Sequence, residues 1–216
     1  MKLKKLIGLS LATVMAATGF ALASCDDPDD GGKATTYTME AEYINLDGVS
    51  GAGVSSDQSG VEMIYGDATD AQKALGWSNG YFVGYTYASN LTLEFVFNAE
   101  TAGTATIILR LGSELGDINL DPSVFAVKLN GENITYSNMF VEGSLIEEMK
   151  FTDKTVTTTA NLKQGENKIS LVVLTNTLMN GTKTGGPCVD CVKIETTSKL
   201  TWTDKTDNPS RRGAIE

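Results

Sequence analysis

The sequence predicts an all-β protein, an antiparallel β-sandwich of the jelly-roll type. Short runs rich in Val, Ile, Thr, Tyr and Phe recur from residue 37 onward. Gly, Asn, Asp and Ser punctuate the gaps between them. Helical signals are confined to "DATDAQKALG" (67–76) and "SLIEEMK" (144–150), too little helix for parallel β-α-β units.

The elements follow in order. "YTMEAEYINL" (37–46) is the first extended run, then "YFVGYTY" (81–87) and "LTLEFVFNA" (91–99). "TATIILRL" (104–111) and "SVFAVKL" (123–129) come next, and Asn130-Gly131 between apolar runs marks a tight hairpin. "KTVTTTANL" (154–162), "NKISLVVLT" (167–175) and "CVDCVKIET" (188–196) complete the set. Residues 198–216 lose alternation and read as a polar tail or connector.

The first residues speak to the compartment. "MKLKK" is a basic start, followed by an apolar, small-residue run that ends in Leu22-Ala23-Ser24-Cys25. That ending resembles the bacterial lipobox, which implies lipidation of Cys25 and attachment to a membrane of the cell envelope. The expected layout is a signal peptide over 1–24, a lipidated cysteine and acidic spacer over 25–36, and a β-sandwich over 37–197. No second apolar run is long enough to span a bilayer. The formal charge is −10, and the leader holds three lysines and no acid, so the mature chain is more acidic still. Such a chain repels nucleic acid and anionic membrane surfaces, so attachment rests on the lipid.

Several residues stand out chemically. On a strand Glu40 and Glu42 share a face, and two parallel carboxylates repel unless a cation lies between them. Calcium suits that geometry; a solvated strand face is the other reading. Asp190 sits among Val189, Val192 and Ile194, and a buried carboxylate must be paired, hydrogen-bonded or bound to metal. If the first and last strands are neighbours, Glu40, Glu42 and Asp190 meet.

Cys188 and Cys191 form a lone C-x-x-C. Zinc would need further ligands, and the chain has no histidine. On a strand the two face opposite sides, which strains an internal disulfide. Two packed thiols are the first reading, a turn-borne or intermolecular disulfide the others.

Residues 37–197 resemble the β-jelly-roll carbohydrate-binding modules of families 6 and 35, a galactose-binding-domain-like fold. The anchors are "MEAEY", "NGYFVGY", "FAVKLNGENI", "TTTANLKQGENKISLVVL" and "GPCVDCVKI", in that order. The resemblance implies a structural calcium held by Glu40, Glu42 and Asp190. It also implies a loop cleft for poly- or oligosaccharide, with Tyr85 on one side. Aromatic faces suit such a ligand because they pack against the C–H face of a sugar, while amides take its hydroxyls.

Two departures from the family pattern bear on that cleft. Phe151 stands near the position of the family's tryptophan, and Cys188 where an asparagine is common. Asn176 and Asn180 are candidate polar contacts, or turn residues. Trp77 either extends the surface or packs as a lid on the core. Tyr65 and Phe140 are further loop aromatics. Strict alternation in 81–87 marks Val83 as buried and leaves Phe82 and Tyr87 as packing.

With no histidine, Ser-His-Asp and Cys-His machinery is excluded. Paired carboxylates leave glycoside hydrolysis as a formal option. The expected function is non-catalytic glycan binding. The alternatives are an assembly lipoprotein that uses the sandwich for contacts with an envelope protein and, behind it, a small glycoside-active enzyme.

Overall fold

Alternation along the strands decides the architecture. In a computed structural model that describes residues 32–44, 69–78, 80–84, 86, 89–114, 116–175 and 186–205, the order is β1 (Thr35–Glu40), helix α1 (Asp70–Ala74), β2 (Thr92–Ala99), β3 (Gly103–Glu114), β4 (Ile118–Leu120) and β5 (Phe125–Leu129). Then follow β6 (Glu132–Asn133), β7 (Met139–Val141), β8 (Gly143–Ser144), β9 (Thr152–Leu162), β10 (Gly165–Val173), β11 (Cys188–Thr196) and β12 (Leu200–Trp202). Single 3-10 turns cover Ala41–Tyr43 and Ile146–Glu148.

One sheet runs β1-β11-β3-β8, with β9 also paired to β3. The other runs β12-β2-β10-β5-β6, and β4 and β7 form a separate ribbon. Pairing is antiparallel except for β3 with β8. Leu93, Phe95 and Phe97 of β2 and Ile169, Leu171 and Val173 of β10 alternate inward to meet Ile107, Leu109 and Leu111 of β3. The sandwich expected from the sequence is therefore observed. Asn130 (φ 53°) and Gly131 (φ 89°) make the left-handed pair of a two-residue hairpin between β5 and β6.

Helix α1 begins where its sequence directs. The Thr69 side chain accepts from the Gln72 backbone N–H, and the Gln72 side chain accepts from that of Thr69, a reciprocal cap.

Three expectations are corrected. Among the described residues of the run 81–87 none belongs to the expected strand, and Val83 alone of them bridges Val189, through bonds of 2.8 and 2.9 Å. Phe82 and Thr86 are buried as well as Val83, so these described positions do not alternate between core and solvent. The polar tail is a strand at its start, because Leu200 is buried and Leu200–Trp202 extends the second sheet beside β2. Pairing with β11 begins at Thr35, so Thr35 and Thr36, expected in the spacer, belong to the first strand.

Candidate functional site

The register of the first sheet sets out a polar row. Glu40 lies opposite Cys191, Cys191 opposite Arg110, and Arg110 opposite Asp153. Cross-strand partners share a face, so four strands contribute one line of side chains. Arg110 Nε donates to Asp153 Oδ1 at 2.8 Å and Lys193 Nζ to Asp153 Oδ2 at 2.7 Å. Burial raises the Asp153 pKa, but the bonds from both cations outweigh it and hold the carboxyl below its usual range.

A bulge brings Asp190 into this row. Val189 pairs with Leu111 and Cys191 with Arg110, so Asp190 is the additional residue of β11. The bulge also reverses the expected placement of the cysteines. Cys188 faces Gly112 and Cys191 faces Arg110, two apart on β3 and hence on one side. Both are buried thiols, not a disulfide. Burial first, then Asp190 and Glu40, pushes the Cys191 thiol up, so it stays protonated.

The segment Leu75–Ser78 lies over this face, and each of its residues is tied to the sheet or its neighbours. Phe151 N donates to Leu75 O at 2.9 Å, Arg110 Nη1 to Gly76 O at 3.4 Å, and Trp77 Nε1 to Met149 O at 2.7 Å. Ser78 binds the acids: its N–H meets Asp190 Oδ1 at 3.0 Å, and its Oγ lies 2.5 Å from Glu40 Oε2 and 2.6 Å from Asp190 Oδ2. Gly76 is required for this approach. Its φ is +92°, and a Cβ there would sit 2.5 Å from Phe151 O.

Glu40, Asp190 and Cys191 bring their ligand atoms within 4.8 Å of one another. Burial raises the Glu40 and Asp190 pKa values, opposed in each by the Ser78 bond. A hydroxyl has one proton to give, so it satisfies one carboxylate; the second short contact needs a proton on a carboxyl or a cation nearby. Two carboxylates and a hydroxyl are hard oxygen donors of the kind calcium takes, while a protonated thiol is not.

Glu42 does not share this cluster, which corrects the expectation that it faces the same way as Glu40. The strand ends at Glu40, and Ala41–Tyr43 turn as 3-10 helix, in which residues two apart diverge. Glu42 is fully buried.

The aromatic candidates for a sugar platform are also corrected. Trp77 is 3% exposed and Phe151 5%, and both pack with Phe82, Met149 and Cys188. Trp77 meets Phe82 edge-on at 5.5 Å and Phe151 at 6.1 Å. Rings engaged on their edges and faces by each other offer no face to a ligand. Of the two readings for Trp77, packing is the one observed, as it is for Phe82. Tyr85, Tyr87, Tyr65, Asn176, Asn180 and Cys25 lie outside the described residues.

Beside the buried rings is a cavity of about 390 Å³ lined by Leu75, Glu142, Ser144, Glu148 and Lys150. Leu75 packs on the ring cluster, and Met149 of that cluster separates Glu148 from Lys150. The rings thus support the cavity without lining it. Among the described residues, no ion pair engages Glu142, Glu148 or Lys150. The Ser144 Oγ is buried and, among the described residues, has no hydrogen-bond partner.

Sequence reasoning missed Ser78, Arg110 and Gly112. Arg110 had a signal: a lone cation in "TIILRLG" calls for an acid, as Asp190 called for a partner. Ser78 had none, because its role depends on where the loop folds back.

No protein-family model matches the chain, and no curated protein does. Among solved structures the chain is similar to a GH26-CBM35 β-(1,4)-mannanase of Podospora anserina, at 18% identity and TM-score 0.47, over 78% of this chain and 28% of that one. It is similar to a family 35 carbohydrate binding module from Clostridium thermocellum at 19% identity and TM-score 0.46, over 74% of this chain and 98% of that one. It is also similar to the CBM35 of Cellvibrio japonicus Abf62 at 13% identity and TM-score 0.47, over 78% of this chain and 97% of that one.

Proposed function

We propose that this chain is a non-catalytic glycan-binding module, exported and held to the cell envelope by lipid on Cys25. One observation carries the reading of the site: the cavity between Leu75 and Lys150. Its volume lies at the small end of the ligand-pocket range. Its walls mix two carboxylates that accept from hydroxyls, an ammonium that donates and one apolar side chain. A polyol meets all of these at once. Tyr85, with Asn176 and Asn180, is proposed to extend the site, as the resemblance to families 6 and 35 implies.

Calcium is proposed as a structural ion held by Glu40 and Asp190, with the Ser78 hydroxyl between them. When bound, it would neutralise two buried carboxylates and tie β1 to β11. No reaction chemistry is assigned to it.

Affinity electrophoresis of the full chain through gels containing plant, host and microbial polysaccharides tests the function. Retardation without product release is expected. Lys150→Ala or Glu148→Ala should weaken it, and Tyr85→Ala should cost roughly 1–3 kcal/mol of affinity. Retardation by no glycan sinks the reading and favours an assembly role. Product release that vanishes with one carboxylate change would make the protein an enzyme.

A further inference from the structure

The two-stranded ribbon of β4 and β7 has an outer face that the cavity does not use. Its inner residues, Ile118, Leu120, Met139 and Val141, are buried in the main core, which fixes the ribbon in place. On the outer face Asn119 and Phe140 are direct cross-strand partners. Asn138 lies two residues before Phe140, at the diagonal position to Asn119, and is exposed as Asn119 is.

Phe140 is 49% exposed. Among the described residues its ring contacts no other ring. The amides beside it are already ordered, because Asn138 Nδ2 donates to Asn119 Oδ1 at 3.0 Å. Among the described residues no bond uses the Nδ2 donor of Asn119 or the Oδ1 acceptor of Asn138, and both lie next to the ring.

We propose that this face is a second glycan-binding surface, in which a pyranose of a neutral polysaccharide packs on Phe140 while its hydroxyls bond to the Asn119–Asn138 pair. The chemistry matches on each count. A pyranose presents an apolar C–H face to the ring. Adjacent hydroxyls accept from Asn119 and donate to Asn138. The three residues carry no charge, so nothing there attracts a uronic acid, and the net charge of −10 repels one. A protein interface is the poorer fit, since one ring framed by amides is far smaller than the apolar core of a stable contact. The inference rests on the glycan-binding reading for its ligand class and is independent of the cavity for its location.

The test is affinity electrophoresis of the full chain through galactomannan, xyloglucan, hydroxyethylcellulose and, as the charged control, polygalacturonate. At least one neutral polymer should retard the chain and polygalacturonate should not. Phe140→Ala should weaken that retardation about tenfold, Phe140→Trp should retain it, and Asn119→Ala should weaken it less than Phe140→Ala. The melting temperature checks that each variant stays folded.

If Phe140→Ala binds every polymer as the native chain does while Lys150→Ala does not, the ribbon surface is overturned and the cavity stands. Loss with Phe140→Ala but not with Lys150→Ala supports the ribbon and overturns the cavity. Retardation by none of the polymers overturns both. A chain that sediments as a Phe140-dependent dimer makes this face a protein contact and overturns the proposal.

Discussion

The indole Nε1 of Trp77 donates a 2.7 Å hydrogen bond to the backbone carbonyl of Met149, 72 positions later in the chain. The bond fastens the loop after α1 to the segment that leads into β9, and so joins the two flanks of the cavity. Trp77→Phe keeps much of the apolar volume but orphans that buried carbonyl. The expected cost is about 1–3 kcal/mol, read as a lowered urea midpoint, with weaker glycan retardation at the cavity. An unchanged midpoint would show that the bond does not hold the loop.

Gly112 on β3 lies under the same rings. A Cβ there would meet the Phe151 ring at 3.0 and 3.1 Å and Met149 at 3.1 Å. Gly112→Ala should therefore lower stability by about 1–3 kcal/mol through overpacking. Combining it with Phe151→Leu, which removes the obstructing ring, should recover part of the loss. No recovery would locate the strain elsewhere.

Calcium should raise the thermal midpoint and EDTA lower it, since an ion that binds only the folded chain stabilises it. Asp190→Asn and Glu40→Gln should each abolish the difference between the two conditions. Ser78→Ala should lower the midpoint in EDTA, where the pair loses the shared hydroxyl and Asp190 keeps only the backbone N–H of residue 78, and lower it less in calcium. Identical melts with ion and chelator would remove the ion from the site.

Asp153 makes the acid response directional. Its folded pKa is depressed, so its contribution is fully present above the unfolded value, about 4, and is lost as pH falls through the lower folded value. Asp153→Asn should cost about 1 kcal/mol at neutral pH, because the carboxylate is 41% exposed and solvent screens it. The gap between the native chain and the variant should close below pH about 4. A gap that is constant with pH would assign the loss to packing.

Lipidation of Cys25 is checked by detergent-phase partition of the protein expressed with its leader. The native chain should enter the detergent phase and Cys25→Ala should remain in the aqueous phase. Partition of both into water would remove the anchor.

The strands were legible wherever one face meets the core and the other meets water. β2 is such a case: Leu93, Phe95 and Phe97 alternate with Thr92, Glu94 and Val96. β11 was found with its bounds intact, but its burial on both sides left no alternation to reveal the bulge at Asp190. The same limit produced the error at 81–87, where Phe82, Val83 and Thr86 are all covered.

Of the candidate cation site, Asp190 was legible because a carboxylate in an apolar run needs a partner, and Glu40 because paired carboxylates on a strand repel without a cation. Glu42 was misplaced because the pattern "EAE" does not show that the strand stops after its first glutamate. Aromatic density in 76–90 is equally ambiguous between a platform and a core. The hydrogen bond from Trp77 and its ring contacts to Phe82 and Phe151 decide it for Trp77 and Phe82.

The additional residue at Asp190 makes β11 a strand with two phases. From Cys191 onward its parity is set by pairing with β1, and before Asp190 it runs in the opposite parity against β3. Deleting Asp190 would merge the phases into one regular ladder: with the β1 pairing kept, Val189 would still face the core opposite Leu111 and Cys188 would still lie opposite Gly112. A single codon thus adds one carboxylate to the polar row and leaves the core side of β11 as it is.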